Sequence, residues 1–345
     1  MNNIINNKIT KIIICLIIMM SVFSCNEEWK DEQYEQYIAF KAPLNSKGIS
    51  PIYVRYKPSG IVEYQLPVIV SGSKDNDKDI DVRIAVDPDT LNSLNIERFS
   101  QLDYLYYTLL EQKFYSFPDR ITIPAGQNVV LLPINFTLAD IDLTDKWVLP
   151  LTIQDDPSYH PNPMRHYKRA LLRVYPFNNF SGDYSATALT MRIKGAGDTP
   201  LVVATKTAYV VDENTVFFYA GPVDEDRVDR KHYKIYVHFK DEYIDEEPGE
   251  NDIDKIRYKE VELSSDNEDF INFSVTGTPR YRVEETMDEV FPYLEIRTTI
   301  IYLEYEFTDY TYSPGYEINY IVEGSLTMQR RVNTQIPDED QAIQW

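Results

Sequence analysis

Apolar and polar residues alternate with a period of two along much of the chain. In Ile80-Asp81-Val82-Arg83-Ile84-Ala85-Val86 the apolar side chains fall on even numbers. Tyr233, Ile235, Val237 and Phe239 alternate with His232, Lys234, Tyr236 and His238, and Tyr316, Ile318, Tyr320 and Val322 alternate with Glu317, Asn319, Ile321 and Glu323. Successive side chains of a strand point to opposite faces, so these stretches predict antiparallel strands with one buried and one wet face. Turn formers separate them at residues 71–77, Pro124-Ala125-Gly126, residues 195–198, Pro248-Gly249-Glu250 and Ser313-Pro314-Gly315. That spacing predicts sandwiches or barrels rather than βαβ units.

One helix interrupts the pattern. Asp87-Pro88-Asp89-Thr90 supplies a capping residue and an early proline, and Leu91 and Leu94 follow at helical spacing. Residues 104–117 are crowded with aromatic and apolar side chains, and their pattern favours no single element. A boundary is expected near Pro176, where the strand Ala170-Leu171-Leu172-Arg173-Val174-Tyr175 ends and Phe177-Asn178-Asn179-Phe180-Ser181-Gly182-Asp183-Tyr184 begins. It divides the chain into β domains at 34–176 and 177–335 with a polar tail at 336–345, each domain of ordinary size.

The amino terminus reads as an export signal at residues 1–24. Lys8 and Lys11 precede the apolar run Ile12-Ile13-Ile14-Cys15-Leu16-Ile17-Ile18-Met19-Met20. A spanning helix needs about 20 apolar residues, and this run is about half that. Val22-Phe23-Ser24-Cys25 resembles the lipobox of bacterial lipoproteins, which implies lipidation of Cys25, a tether at 25–33 and attachment by acyl chains. Asn26, Glu27 and Glu28 resemble the acidic export tag of Bacteroidetes surface lipoproteins. The expected location is therefore the outer membrane, lipid-anchored and facing outwards. Net charge is −21, and becomes −23 once a leader with two lysines and no acids is lost. Such a chain is expected to bind no nucleic acid and to touch the membrane only through its lipid. With Cys15 removed and Cys25 lipidated, no cysteine remains for a disulfide, a thiol nucleophile or a zinc site.

A family resemblance is carried by Leu66-Pro67-Val68-Ile69-Val70-Ser71-Gly72-Ser73, Ile84-Ala85-Val86-Asp87, Ile121-Thr122-Ile123-Pro124-Ala125-Gly126 and Leu149-Pro150-Leu151-Thr152-Ile153. Their order resembles domain of unknown function 1735, a Bacteroidetes lipoprotein module also found ahead of some family 18 endoglycosidases. Asn179-Phe180-Ser181-Gly182-Asp183-Tyr184 through Tyr320-Ile321-Val322-Glu323-Gly324 resembles its partner, domain of unknown function 4361. The resemblance implies an all-β chain, an amino-terminal Ig-like β-sandwich followed by a lipocalin-like antiparallel β-barrel. It also implies a product of a polysaccharide utilisation locus, whose partners are a glycan and the outer-membrane transporter complex of that locus.

Motifs for catalysis are missing. The Asp-x-x-Asp-x-Asp-x-Glu run of family 18 glycosidases does not occur, and β domains of this length leave no room for a (β/α)₈ barrel. Gly-x-Ser-x-Gly is absent too. His232 and His238 share a face of one expected strand but stand about 20 Å apart, too far for a common metal. His160 and His166 flank Pro161-Asn162-Pro163, where a surface role is expected. Asp75, Asp77 and Asp79 alternate as in an EF-hand, yet Ile80 replaces its glycine and Val86 its glutamate. A looser calcium site there is the one cofactor the sequence suggests, and a solvated hairpin tip is the default; no other cofactor is expected, nor any enzymatic activity.

Tyrosine changes the picture, at 27 residues against 15 phenylalanines and 3 tryptophans. Many will sit half-buried on sheets, but a tyrosine can also stack on the apolar face of a pyranose and hydrogen-bond its hydroxyls. Asp309, Tyr310, Tyr312 and Tyr316 surround a turn and form the leading glycan-binding candidate, with Tyr293 and Tyr243 as further ones. The leading expectation is a non-catalytic glycan-binding surface lipoprotein that serves a transporter. The alternative is a structural or adhesive lipoprotein that binds other proteins through the same exposed aromatics. A lipocalin-style carrier would need a wide barrel interior.

Overall fold

In the computed structural model of the chain, residues 34–57, 59–197, 199–245, 257–310 and 315–337 are described. The strands are β1 (Tyr37–Phe40), β2 (Ser50–Arg55), β3 (Ile61–Val70), β4 (Ile80–Val86), β5 (Thr108–Leu109), β6 (Tyr115–Ser116), β7 (Arg120–Ile123), β8 (Val129–Thr137), β9 (Trp147–Ile153), β10 (His160–Pro161) and β11 (Arg169–Phe177). These form two sheets, ordered β10-β1-β3-β8-β6 and β2-β11-β9-β4-β7. Alternate residues of each face the other sheet: Phe40, Leu66, Val68, Leu132, Ile134 and Phe136 meet Ile52, Val82, Ile84, Leu149, Leu151 and Val174 in one core. The result is the expected sandwich.

The helix is Pro88–Phe99, and the side chain of Asp87 caps it by accepting from the Thr90 backbone N–H at 3.1 Å. Leu91 of the helix covers the outer side of the second sheet with Ile49, Tyr107, Val148 and Leu171. That cover explains why β9, Trp-Val-Leu-Pro-Leu-Thr-Ile, is apolar on both faces. The region 104–117 has no period because it consists of short pieces, two 3₁₀ turns (Asp103–Leu105 and Gln112–Phe114) and the two-residue β5 and β6. Several of its aromatics are taken up by packing: Phe114 and Tyr115 enter the sandwich core and Tyr107 lies under the helix, while Tyr104 stays exposed.

Nine more strands follow: β12 (Gly182–Ile193), β13 (Thr205–Val210), β14 (Thr215–Tyr219), β15 (Lys234–Asp245), β16 (Arg257–Ser264), β17 (Ser274–Val275), β18 (Arg280–Met287), β19 (Leu294–Asp309) and β20 (Ile318–Asn333). Each long strand pairs antiparallel with its neighbours in sequence, and β20 also pairs with β12, so eight strands close a ring while β17 flanks β19. Closure removes the sheet edges. It depends on Gly324 of β20, at φ 128°, where a Cβ would strike the Ala188 carbonyl oxygen beside a bulge in β12. Aromatic rings fill the barrel. Tyr184, Phe218, Tyr305 and Phe307 are fully buried, and Phe307 stacks on Tyr320 at 5.2 Å. This interior is a core, in contrast to the wide chamber a lipocalin-style carrier needs.

Strand starts differ from the sequence pattern in two places: β20 begins at Ile318, which leaves Tyr316 and Glu317 outside it, and β15 begins after His232. His232 belongs to a 3₁₀ turn, Arg230–Tyr233, and β15 begins at Lys234, so His232 and His238 do not share a strand. Alternation alone cannot distinguish a strand residue from the turn that leads into it.

Candidate functional site

A cleft of about 480 Å³ opens between the sandwich and the outside of the barrel. Its first wall is the outer face of β11 and β2. These strands pair in parallel with Tyr175 opposite Tyr53, and the two rings stack at 5.4 Å and 24°. Arg173 lies two residues before Tyr175, hence on the same face. Its guanidinium sits 4.7 Å from the Tyr175 ring centre.

The second wall comes from the barrel. On β13 Thr205, Thr207 and Tyr209 line the cleft together with the buried Lys206 and Ala208, and Val210 is buried beyond it. Tyr209 is held edge-on to Tyr219 at 5.9 Å and stacked on Phe217 at 5.1 Å. The adjoining loop contributes Pro222, Val223, Asp224 and Glu225. Glu225 joins the two units, because it accepts from Arg173 Nη2 at 3.0 Å and from the Tyr209 hydroxyl at 3.3 Å.

Other contacts fix the walls. Arg230, buried on the barrel side, donates through Nε and Nη2 to the Thr144 carbonyl of the sandwich at 3.2 and 3.1 Å, and Lys146 reaches Asp226 at 2.5 Å. Burial alone would raise the Glu225 carboxyl, but the charges of Arg173 and Lys146 outweigh it and hold the group below the usual range. Burial pushes the Tyr175 and Tyr209 hydroxyls up, so both remain protonated donors. At neutral pH the cleft therefore presents a carboxylate, a guanidinium, neutral phenols and flat aromatic faces. That combination suits a polyol with both apolar and hydroxylated surfaces.

The family can be named from whole-chain likeness. A Bacteroides ovatus protein of unknown function is 46% identical over 90% of this chain and 100% of its own, with TM-score 0.78. A multidomain protein including DUF1735, also from Bacteroides ovatus, is 45% identical over 90% of this chain and 100% of its own, with TM-score 0.78. The chain belongs to this family of two-domain Bacteroides proteins. An auxiliary nutrient binding protein from Bacteroides thetaiotaomicron is similar as well, 38% identical over 90% of this chain and 100% of its own, with TM-score 0.76. Residues 29–157 match a domain of unknown function, DUF4973, and residues 168–327 match a model described as a "-like, C-terminal" domain. No protein of curated function matches.

Within this family member the residues singled out by sequence do not converge. Asp309 is a correction. It is only 3% exposed, and both its oxygens accept from Arg227, at 2.7 and 2.6 Å. An acid so engaged cannot receive a sugar hydroxyl. Its neighbour Tyr310 is half-buried at the same end of the barrel, Tyr316 is 68% exposed, and Tyr312 lies outside the described residues, as does Cys25. Tyr293 precedes the opposite end of the 16-residue β19, roughly 50 Å of strand away. Tyr243 lies towards the far end of β15, exposed and flanked by Arg257 and Lys259.

The acidic stretch also resolves differently from a calcium loop. Asp75 Oδ1 accepts from Asn128 Nδ2 at 2.5 Å, Asp79 Oδ1 accepts from the Ala125 N–H at 2.8 Å, and Asp77 points to solvent. These bonds tie one hairpin tip to the next. Among the described residues no three acidic, histidine or cysteine side chains gather as a metal would require.

The cleft residues Tyr53, Arg173, Tyr175, Tyr209 and Glu225 were not singled out by pattern. One signal existed: Arg173 interrupts Leu171-Leu172-Arg173-Val174-Tyr175, and a charge inside an apolar strand needs a partner when buried. The continuous apolar run of β14, Thr-Val-Phe-Phe-Tyr, was a second, since it announces a barrel strand covered on its outer face.

Proposed function

We propose that the chain is a non-catalytic cell-surface protein that captures a nutrient oligosaccharide in the cleft between its two β domains and passes it to an outer-membrane transporter. The observation that carries this reading is the cleft itself, whose walls bring Tyr53, Tyr175 and Tyr209 around the Arg173 and Glu225 pair. A saccharide presents that same mixture, with apolar ring faces and hydroxyls that both donate and accept. The auxiliary nutrient binding relative supports a role in uptake. In this reading Cys25 carries the lipid, the acids after it direct the chain outwards, the boundary falls at residues 176/177, and the second domain is of the 4361 type. The ligand needs no metal.

Binding of the mature chain to a broad panel of immobilised plant and host glycans, with and without chelator, tests this. A specific, chelator-insensitive hit is expected. Tyr175→Ala should weaken it at least tenfold, since a stacked ring contributes on the order of 1 kcal/mol or more and also holds Arg173 in place. Failure of the whole panel, or a hit indifferent to Tyr175→Ala, would remove the cleft from consideration.

A further inference from the structure

We propose that the barrel end carries a second saccharide contact, an aromatic strip of His232, Phe270 and Tyr310 that grips a neutral polysaccharide along its length while the cleft holds another part of it. This rests on the glycan-binding reading above. Phe270 lies at the centre of the strip, 5.1 Å from the Tyr310 ring and 5.2 Å from the His232 ring, tilted by 41° and 47°. It is 49% exposed, and His232 beside it faces solvent.

A single exposed phenylalanine is ordinary. What distinguishes this one is how firmly its neighbour is held. Asn272 Nδ2 donates to the Tyr310 hydroxyl at 3.0 Å and to Thr308 Oγ1 at 3.1 Å, and Thr308 in turn donates to Asn319 Oδ1 at 2.7 Å. The Tyr310 backbone N–H donates to the Tyr233 hydroxyl at 3.1 Å. Asn272 takes a left-handed conformation, φ 47° and ψ 44°, to reach these partners. Beneath the strip, the ion pair of Arg227 with Asp309 fixes the start of the turn. The ring is thus immobilised before any ligand arrives, which lowers the entropy lost on binding.

Chemistry selects the occupant. Glu268 and Asp269 precede Phe270 on the same short turn and are exposed, so the strip is bordered by acceptors that repel anionic polymers and suit hydroxyls. The geometry also couples the two contacts. Glu225 lines the cleft and His232 touches Phe270, and seven residues of chain reach at most about 25 Å. One extended polymer can engage both, and a second linked contact then raises avidity on the order of 10²-fold.

Retention of the mature chain on a neutral polysaccharide that it binds, alongside titration with a short oligosaccharide of the same composition, separates the sites. Phe270→Ala should lower polymer retention tenfold or more and leave oligosaccharide affinity unchanged, Phe270→Tyr should restore retention, and Tyr175→Ala should weaken both. Unchanged retention by Phe270→Ala overturns the strip alone, as does an equal loss for polymer and oligosaccharide, or a loss confined to capture of a protein. A wild-type chain that binds no saccharide overturns this inference and the cleft reading together.

Discussion

At the residue scale, two buried charges in the barrel behave oppositely because their partners differ. Arg227 meets the carboxylates of Asp309 and Asp229 and stays charged, its affinity for the proton raised. Asp309→Ala removes the buried two-oxygen partner and leaves Arg227 with the more exposed Asp229, so it should destabilise the chain by about 1–3 kcal/mol in chemical denaturation. A loss below about 1 kcal/mol would contradict that account. Lys206 instead donates to the carbonyls of Tyr219 and Val223 at 2.8 and 3.0 Å, and burial drives its pKa from 10.5 down to about 7, with Asp224 opposing only in part. The amine is then neutral in the folded chain but protonated in the unfolded chain between about pH 7 and 10.5. The unfolded state binds the extra proton, so stability rises with pH across that window. Between pH 7 and 9 the wild type should gain stability relative to Lys206→Met, by roughly 1 kcal/mol per pH unit. Parallel pH profiles would show that the amine is charged in the fold.

At the element scale, closure of the barrel decides more than any single strand. β19 and β20 pair over their full length, from Leu294 opposite Asn333 to Asp309 opposite Ile318, and β20 then turns its other edge to β12. Gly324 permits that approach. Gly324→Ala should destabilise by more than about 2 kcal/mol, because strain against the backbone adds to a disfavoured φ, and a fall in the urea midpoint would register it. The alternating pattern made β4, β15 and β20 legible, since each has one buried face. It could not reveal closure, which is set by pairing between residues 127 to 142 positions apart in sequence. Residues 104–117 were illegible for a different reason: their aromatics pack as individual side chains rather than along a repeating face.

At the scale of the whole molecule, the cleft exists only because the two β units dock. Arg230 reaching Thr144, Lys146 reaching Asp226 and Glu225 receiving Arg173 fix the walls, and each bond joins residues at least 50 positions apart. Charge sets the wider context, since a chain at −21 repels anionic polymers and favours neutral ones. Under the proposed function, two contacts on one body, a cleft and a strip, let a protein with modest individual affinities hold a long polymer.

Local sequence dictates the all-β class, the capped helix at Pro88, the antiparallel strands with one wet face, and the abundance of tyrosine available for stacking. These follow from local periodicity and composition, which neighbouring residues carry. Where the tyrosines stand relative to one another was settled by the tertiary fold. It buried Asp309 against Arg227, separated Tyr243 and Tyr293 from Tyr310, and brought Tyr53, Tyr175 and Tyr209 to one cleft. Period two tells which face of a strand a residue occupies, but the neighbour opposite that face is chosen by sheet pairing and docking, and those act across the whole chain.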